Sequence, residues 1–533
     1  MAETTPFKIP TRQVGKVRPR ETWQILDLIP DTGIPVFWVE QETAQGKKRL
    51  GIDQKTFTEF LEFYGFRKIV KDSEVAYVRV NKNVLYQVVI PEIKDFITSF
   101  FDAHRGDDIK SEQISVTPDF SLDTLQKYIY QNSGSIFNKE KLEMIKTFEG
   151  EMYQPGKWDN AFFFKDVWVK ITPDQITIHQ YDELPLNMSI WANSVIDFEI
   201  GMWDKNKTEC DFQEFIRVIT GKKNGDKAET QPERKRMLEQ AIGYLMHPFF
   251  EGALRAILLT DVNSNNQKAN GRTGKGLIAN AIAKIFPTAI VPAKRWKSDD
   301  KFNFSQVDKD TKLIVLDDLA SNFDSNWIFN NITEGTVVKK MYKSEFMVKT
   351  KMLLLTNQMI KGAGSSTRGR LLEIEIENFF NDKFKPIDYF GKNFYSKHDW
   401  NEKEWAAFYW YLMSCSHQNL KKVREGFDCG VEYIHSDSIE QKRLIQNLEE
   451  DFVAFMDAKC GFWFENPKSN LFEISFLRTE YLEEQNDKHR KMSSQRLKDW
   501  ILEYCDFKGY QLVQASKGNN RIKYQILPNK SIF

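Results

Sequence analysis

No run of about 18 or more apolar residues occurs in the sequence, so no segment would span a membrane as a helix. Its opening, MAETTPFKIPTRQVGKVRPRE, lacks the apolar core that a secretory signal requires. Cysteine is scarce, with five in 533 residues, odd in number and never in a CxxC pair. That pattern argues against a disulfide framework or a zinc site and fits a reducing compartment, so a cytoplasmic protein is expected. Net charge is absent as well, 75 basic residues balancing 75 acidic ones, so the chain as a whole is not a polyanion binder.

What is present is ordinary globular material: 41% hydrophobic and 28% charged residues, with 41 phenylalanines to fill cores. A chain of this length holds three or four domains. Residues 1–20, with Pro6, Pro10 and Pro19 and five basic side chains against one acid, read as a flexible basic arm. Residues 21–204 read as an accessory α/β region in two parts, about 21–115 and 116–204. In the first, FTEFLEFYGF (57–66) has helical spacing. VAYVRV, NKN and VLYQVVI (75–90) form a hairpin, and IKDFITSFF (93–101) is a second helix. In the second, a helical stretch over 120–149 precedes short strands in AFFFKDVWVKI and QITIHQY (161–181). None of the seven histidines forms the His-hydrophobic-His pair of a rolling-circle nickase, and no carboxylate pair with a following His marks a primase strand. An accessory or loading role is expected instead.

GKKNGDKAETQPERKR (221–236) is polar and reads as a loop. A helical run, MLEQAIGYLMHPFF, and the apolar strand ALRAILLTDV (253–262) follow, and then comes KANGRTGKGLIANAIAKIF (268–286). In GxxxxGK[ST] loops the backbone amides wrap phosphates, the Lys reaches the terminal phosphates and the hydroxyl holds Mg²⁺. The match here is partial: Ala269 stands at the first glycine and Gly276 at the hydroxyl. The candidate nucleotide-binding residues are Asn270, Gly271, Arg272, Thr273, Gly274, Lys275, Gly276 and Leu277, at the start of an apolar helix where an anion is favoured. Alone, the stretch reads equally well as a glycine-rich turn.

Three later stretches give it context. TKLIVLDDLA (311–320) is a buried strand ending in two acids. Asp317 is the candidate metal ligand, and Asp318 is the carboxylate that polarises an attacking water. KMLLLTNQ (351–358) is another apolar strand, ending in Asn357, whose amide can orient that water. In SSTRGRLLEIEIENFF (365–380), Arg368 and Arg370 flank a glycine and are candidates for stabilising transition-state charge from a neighbouring subunit. Taken singly, these are also a solvated turn, a turn-forming Asn and a surface Arg.

The order loop-Lys, strand-DD, strand-Asn, Arg resembles the superfamily III helicases of viruses, phages and plasmids, a branch of the AAA+ ATPases. It resembles in particular the primase-helicase type of poxviruses and bacterial mobile elements. The resemblance covers roughly 205–420. It implies a central AAA+ P-loop ATPase core (205–428) within a multidomain α/β protein, with ATP and Mg²⁺ as cofactors. It also implies a ring, usually a hexamer, that moves 3′ to 5′ on single-stranded and forked DNA. A primase or polymerase is an expected partner, and a phage or mobile element in a bacterial host the expected source. With Gly276 in place of the hydroxyl, Mg²⁺ relies on the phosphates, water and Asp317, helped by Thr273. GTVVKKMYKSEFMVKTK (335–351) falls where such helicases carry a DNA-gripping hairpin. Lys339, Lys340 and Lys343 are expected to contact phosphates, and Tyr342 a sugar or base.

Residues 429–533 are expected to form a winged-helix-like module. SSQRLKDWILEYC (493–505) is a helix starting at Ser, followed by a hairpin with Lys517, Arg521 and Lys523 on its wing. Two rivals to an ATP-dependent DNA helicase stand. One is an AAA+ ATPase acting on protein, as in antiphage defence. The other is an origin-binding platform with a silent ATPase.

Overall fold

A computed structural model describes residues 37–42, 47–71, 74–103, 122–224, 227–250, 254–262, 273–294, 300–319, 325–341, 344–357, 370–434, 439, 442, 444–445, 448–485, 492–518 and 521–528. Near its beginning, the helix Gln54–Phe63 is capped by Asp53, whose side chain accepts from the Thr56 amide at 2.8 Å. The expected hairpin pairs Glu74–Asn81 with Val84–Val88, and its turn residues Lys82 and Asn83 both have positive φ, the geometry a two-residue hairpin needs. The helices Gln54–Phe63 and Ile90–Ala103 supply Phe57, Phe60, Phe96 and Phe100 to one aromatic core.

A four-stranded sheet follows, in the order Val195–Ile196, Asn160–Phe164, Trp168–Ile171, Ile176–His179. Its apolar face shares one core with the helices Asp211–Thr220, Pro232–Leu245 and Glu402–Arg424, so this core holds residues from both sides of position 204. Asn160 reinforces the junction, its amide donating to Ser416 Oγ at 2.9 Å and to Met246 O at 3.2 Å. The polar stretch 221–236 is not all loop. Lys222–Asn224 pairs with Lys227–Glu229, and a helix starts at Pro232, where a missing N–H costs nothing.

The central sheet is parallel and five-stranded, in the order Thr288–Pro292, Leu313–Asp317, Lys351–Leu355, Ala256–Asp261, Leu371–Ile376. Near-continuous apolar runs such as LIVL and MLLL suit strands buried on both faces. Ile257, Leu259, Leu353 and Leu355 pack under the helices on one side. Ala256, Leu258, Ile314 and Leu354 pack into a second core on the other. At the start of the strand Lys351–Leu355, the Lys351 ammonium donates to the carbonyls of Tyr244 and His247 at 2.7 and 2.6 Å. It thereby satisfies the C-terminal end of the helix Pro232–Leu245.

The last part has its own core, formed by the helices Glu450–Glu465, Ile474–Glu484 and Ser494–Lys508 and the hairpin Tyr510–Gly518/Arg521–Pro528. The Phe472–Tyr524 bridge and the Asn470 side chain, which donates to Ile526 O and accepts from Ile526 N, tie the chain between the first two helices to the hairpin. Among the described residues, no helix is long and apolar enough to cross a membrane.

Helices Pro232–Leu245 and Glu402–Arg424 touch backbone to side at Gly243, where a Cβ would stand 2.2 Å from the Cys415 carbonyl oxygen. Gly243→Ala should therefore push the pair apart and cost about 1–3 kcal/mol, as overpacking does. A urea midpoint unchanged from wild type would show that the helices do not depend on this approach.

Candidate functional site

Parallel strands in an open sheet present their C-terminal ends together, and ligands bind in the crevice above them. Here the strand Ala256–Asp261 lies next to Lys351–Leu355, which in turn lies next to Leu313–Asp317. Asn357, just past the middle strand, therefore stands between the loop that follows Asp261 and the acid pair Asp317-Asp318. The strand order brings these groups to one place.

The helix Lys275–Ala283 begins at Gly274, which has φ +96°. A Cβ there would also meet the Phe215 ring at 2.6 Å, so both conformation and packing demand glycine. No side chain caps this helix among the described residues, so an anion at its N-terminus would be favoured. Lys275 is buried, and its ammonium uses all three donors. It donates to Asp261 Oδ1 at 2.6 Å, to Asn357 Oδ1 at 2.6 Å and to Thr273 Oγ1 at 3.2 Å. The Thr273 hydroxyl donates to the same Asp261 oxygen at 2.7 Å. Burial holds the Lys275 ammonium below its ordinary pKa, and Asp261, then Asp318 and Asp317, oppose that shift. Asp317 is raised, first by burial and then by the charge on Asp318. Asp318 sits at φ +59°, a strained conformation for a residue with a side chain, and pairs with the exposed Lys294 at 3.4 Å.

Asp261 was not foreseen. The signal was present, because an acid ends the apolar run AILLTD as Asp317 ends LIVLD. Asp261 is 3% exposed, and its Oδ2 has no hydrogen-bond partner among the described residues. Thr273, expected to help hold a metal, instead binds Asp261. Leu277 lies in the helix's first turn, its amide donating to Gly274 O at 2.8 Å. Gly276 faces open space, with no atom within 4 Å of a Cβ placed on it.

The remaining candidates are distributed elsewhere. Arg370 immediately precedes the edge strand Leu371–Ile376, and its carbonyl accepts from Ala256 at the start of the neighbouring strand. It is thus at the N-terminal end of the sheet, opposite Lys275 within the same chain. The expected hairpin pairs Thr336–Val338 with Phe346–Val348, and its two described lysines each have an acidic partner. Lys339 pairs with Glu345 at 3.2 Å, and Lys340 with Asp308. Lys523 is exposed on the C-terminal hairpin, and Lys517 and Arg521 lie on its two strands. Asn270, Gly271, Arg272, Tyr342, Lys343 and Arg368 lie outside the described residues.

The donor set fits a hard cation that keeps water and phosphate ligands. Asp317 and Asp318 are adjacent carboxylates, and Mg²⁺ is commonly held by one or two such groups. No group of three or more His, Cys, Asp or Glu side chains could hold a metal among the described residues.

No protein-family model matches the chain, and no curated protein matches it. Among solved structures it is similar to the apo C-terminal region of NrS-1, at 12% identity and a TM-score of 0.34, covering 70% of this chain and 96% of that one. It is also similar to NtrX from Brucella abortus in complex with ADP, at 14% identity and a TM-score of 0.20, covering 53% and 69%. Likenesses this slight carry no weight for function.

The open space at Gly276 generates a prediction. Gly276→Ser should fold as wild type and, by supplying the missing hydroxyl, lower the Mg²⁺ concentration needed for half-maximal nucleotide hydrolysis several-fold. An unchanged Mg²⁺ requirement would show that the metal does not sit over this position.

Proposed function

We propose that the chain is an ATP-dependent DNA helicase whose nucleotide site is built on Lys275, Asp317, Asp318 and Asn357. The observation that carries the reading is the strand order, which sets Asn357 between the loop lysine and the acid pair. ATP would lay its phosphates against the amides opening the helix Lys275–Ala283, and Lys275 would leave Asp261 for the β- and γ-phosphate oxygens. Asp317 would hold Mg²⁺, and the ion would supply charge neutralisation on the phosphates. Asn357 orients a water in line with the γ-phosphorus, and Asp318 takes its proton. As the water oxygen bonds to phosphorus, the bond to the bridging oxygen breaks, and ADP and phosphate leave.

Arg370, at the far end of the sheet, is on the wrong side to serve its own chain's nucleotide, so a ring in which it serves the next subunit accounts for its position. Arg368 is proposed for the same task. A hexamer acting on single-stranded and forked DNA is the form the family resemblance supplies, with a primase or polymerase as companion. Support for a winged-helix module comes from three helices, a hairpin and the bridge at Phe472. Its strands carry Lys517, Arg521 and Lys523.

One observation favours a second reading, an ATPase that acts on protein. Lys339 and Lys340 of the hairpin are paired with acids, while Val337, Met341 and Met347 are 51%, 67% and 54% exposed. An apolar surface of this kind suits a polypeptide better than a phosphate chain.

Lys275→Ala should reduce ATP turnover by about 100- to 1,000-fold, as loss of one positioned charge does. Wild type should be stimulated by single-stranded DNA and displace a strand. Hydrolysis that survives Lys275→Ala would remove the proposed site, and hydrolysis indifferent to DNA would move the reading to protein.

A further inference from the structure

The nucleotide site is held from below by a residue that belongs to the C-terminal part of the chain. Lys442 is buried, and its ammonium donates to the main-chain carbonyl of Asp261 at 3.0 Å and to Glu375 Oε1 at 2.5 Å. Asp261 and Glu375 lie on paired strands, Asp261 opposite Ile376 and Glu375 opposite Thr260. Lys442 therefore joins the C-terminal ends of both strands where the phosphate loop begins. Arg234, from the helix Pro232–Leu245, secures the same place by donating to Glu375 O at 3.0 Å. A buried ion pair persists only where its geometry satisfies both charges, so this joint tolerates little displacement.

The residue that Lys442 holds by its carbonyl holds Lys275 by its carboxylate. A shift of Asp261 moves the oxygen on which Lys275 and Thr273 depend, and through Lys275 the contact to Asn357. Lys442 in turn shares a short segment with Leu444 and Leu448, both buried in the C-terminal core. The lysine thus sits between two bodies: its neighbours pack with the C-terminal helices and its ammonium with the nucleotide crevice.

We infer that Lys442 is a positioning residue through which the placement of the C-terminal module sets the geometry of Asp261 and Lys275, and so the affinity for nucleotide. The link to nucleotide rests on the function proposed above; the link to Lys275 does not. Any ligand that shifts the C-terminal module then alters nucleotide affinity, and nucleotide alters the affinity for that ligand by the same factor.

The test uses the full chain with K442M, which keeps the length of the side chain and removes its charge. Two quantities are read. One is the Kd for a fluorescent ATP analogue. The other is the rate at which Lys275 is acetylated by a small reagent without nucleotide, measured by mass spectrometry against the exposed Lys523. The expected result is a Kd raised about tenfold and a several-fold faster acetylation of Lys275 alone, with K442R between K442M and wild type. Should K442M fail to fold, K442R is read the same way. Wild-type acetylation in a folded variant overturns the inference, even if the melting temperature falls, because a purely structural lysine would do only that. If wild type binds no ATP analogue, the proposed function fails, while the acetylation rates still decide the role of Lys442.

Discussion

A positive charge buried beside a helix N-terminus is the constraint on which the site depends. The Lys275 ammonium is 7% exposed and faces the positive end of its own helix, so water and the helix dipole give it little help. It remains only because Asp261, Asn357 and Thr273 accept from it. All three acceptors must be delivered to one point, and that requirement explains the arrangement around them. Asp261 ends one strand, Asn357 follows the next, and Thr273 closes the loop two residues before the lysine. The same cluster leaves Asp261 Oδ2 without a partner among the described residues, so a carboxylate is kept in the crevice at some cost. Phosphate oxygens are stronger competitors for Lys275 than a neutral amide. In the proposed function, the cluster holds the lysine in place until phosphate oxygens compete for it.

The rest of the fold keeps the strand ends in register. Lys351 fixes the start of the strand that leads to Asn357, taking two carbonyls at the end of the helix Pro232–Leu245. Burial pushes its ammonium down to about 7, so this anchor is itself near the limit of what the interior accepts. His247, beside it, donates through Nε2 to the carbonyls of Gly156 and Asp159, which ties the N-terminal sheet to the same corner. Because the sheet at 160–171 shares its core with the helices over the central sheet, the accessory region is built into the support of the site.

Much of the central sheet was legible because buried parallel strands write themselves as short apolar runs, and LIVLD, MLLL and AILLTD do so plainly. The glycine at 274 and the lysine at 275 were legible for a related reason: a helix opening on a left-handed glycine has a local signature. What was not legible depended on partners distant in sequence. Nothing near Asp261 announces that its partner lies fourteen positions on, beyond the loop. The pairing of Lys340 with Asp308, 32 positions away, has no local signature either. That Arg370 stands at the opposite end of the sheet from Lys275 follows from the parallel direction of its strand, which its spacing alone does not give. The hairpin within 221–236 was hidden by its polarity, since both of its strands are largely exposed.

The most direct test of the account is a crystal structure of the protein with a non-hydrolysable ATP analogue and Mg²⁺. Lys275 Nζ should have left Asp261 and stand about 2.7–2.9 Å from a phosphate oxygen, the distance of a charge-assisted bond. Asn357 and the acid pair should face the γ-phosphate. A saturated complex in which the analogue binds elsewhere and Lys275 still rests on Asp261 would contradict it.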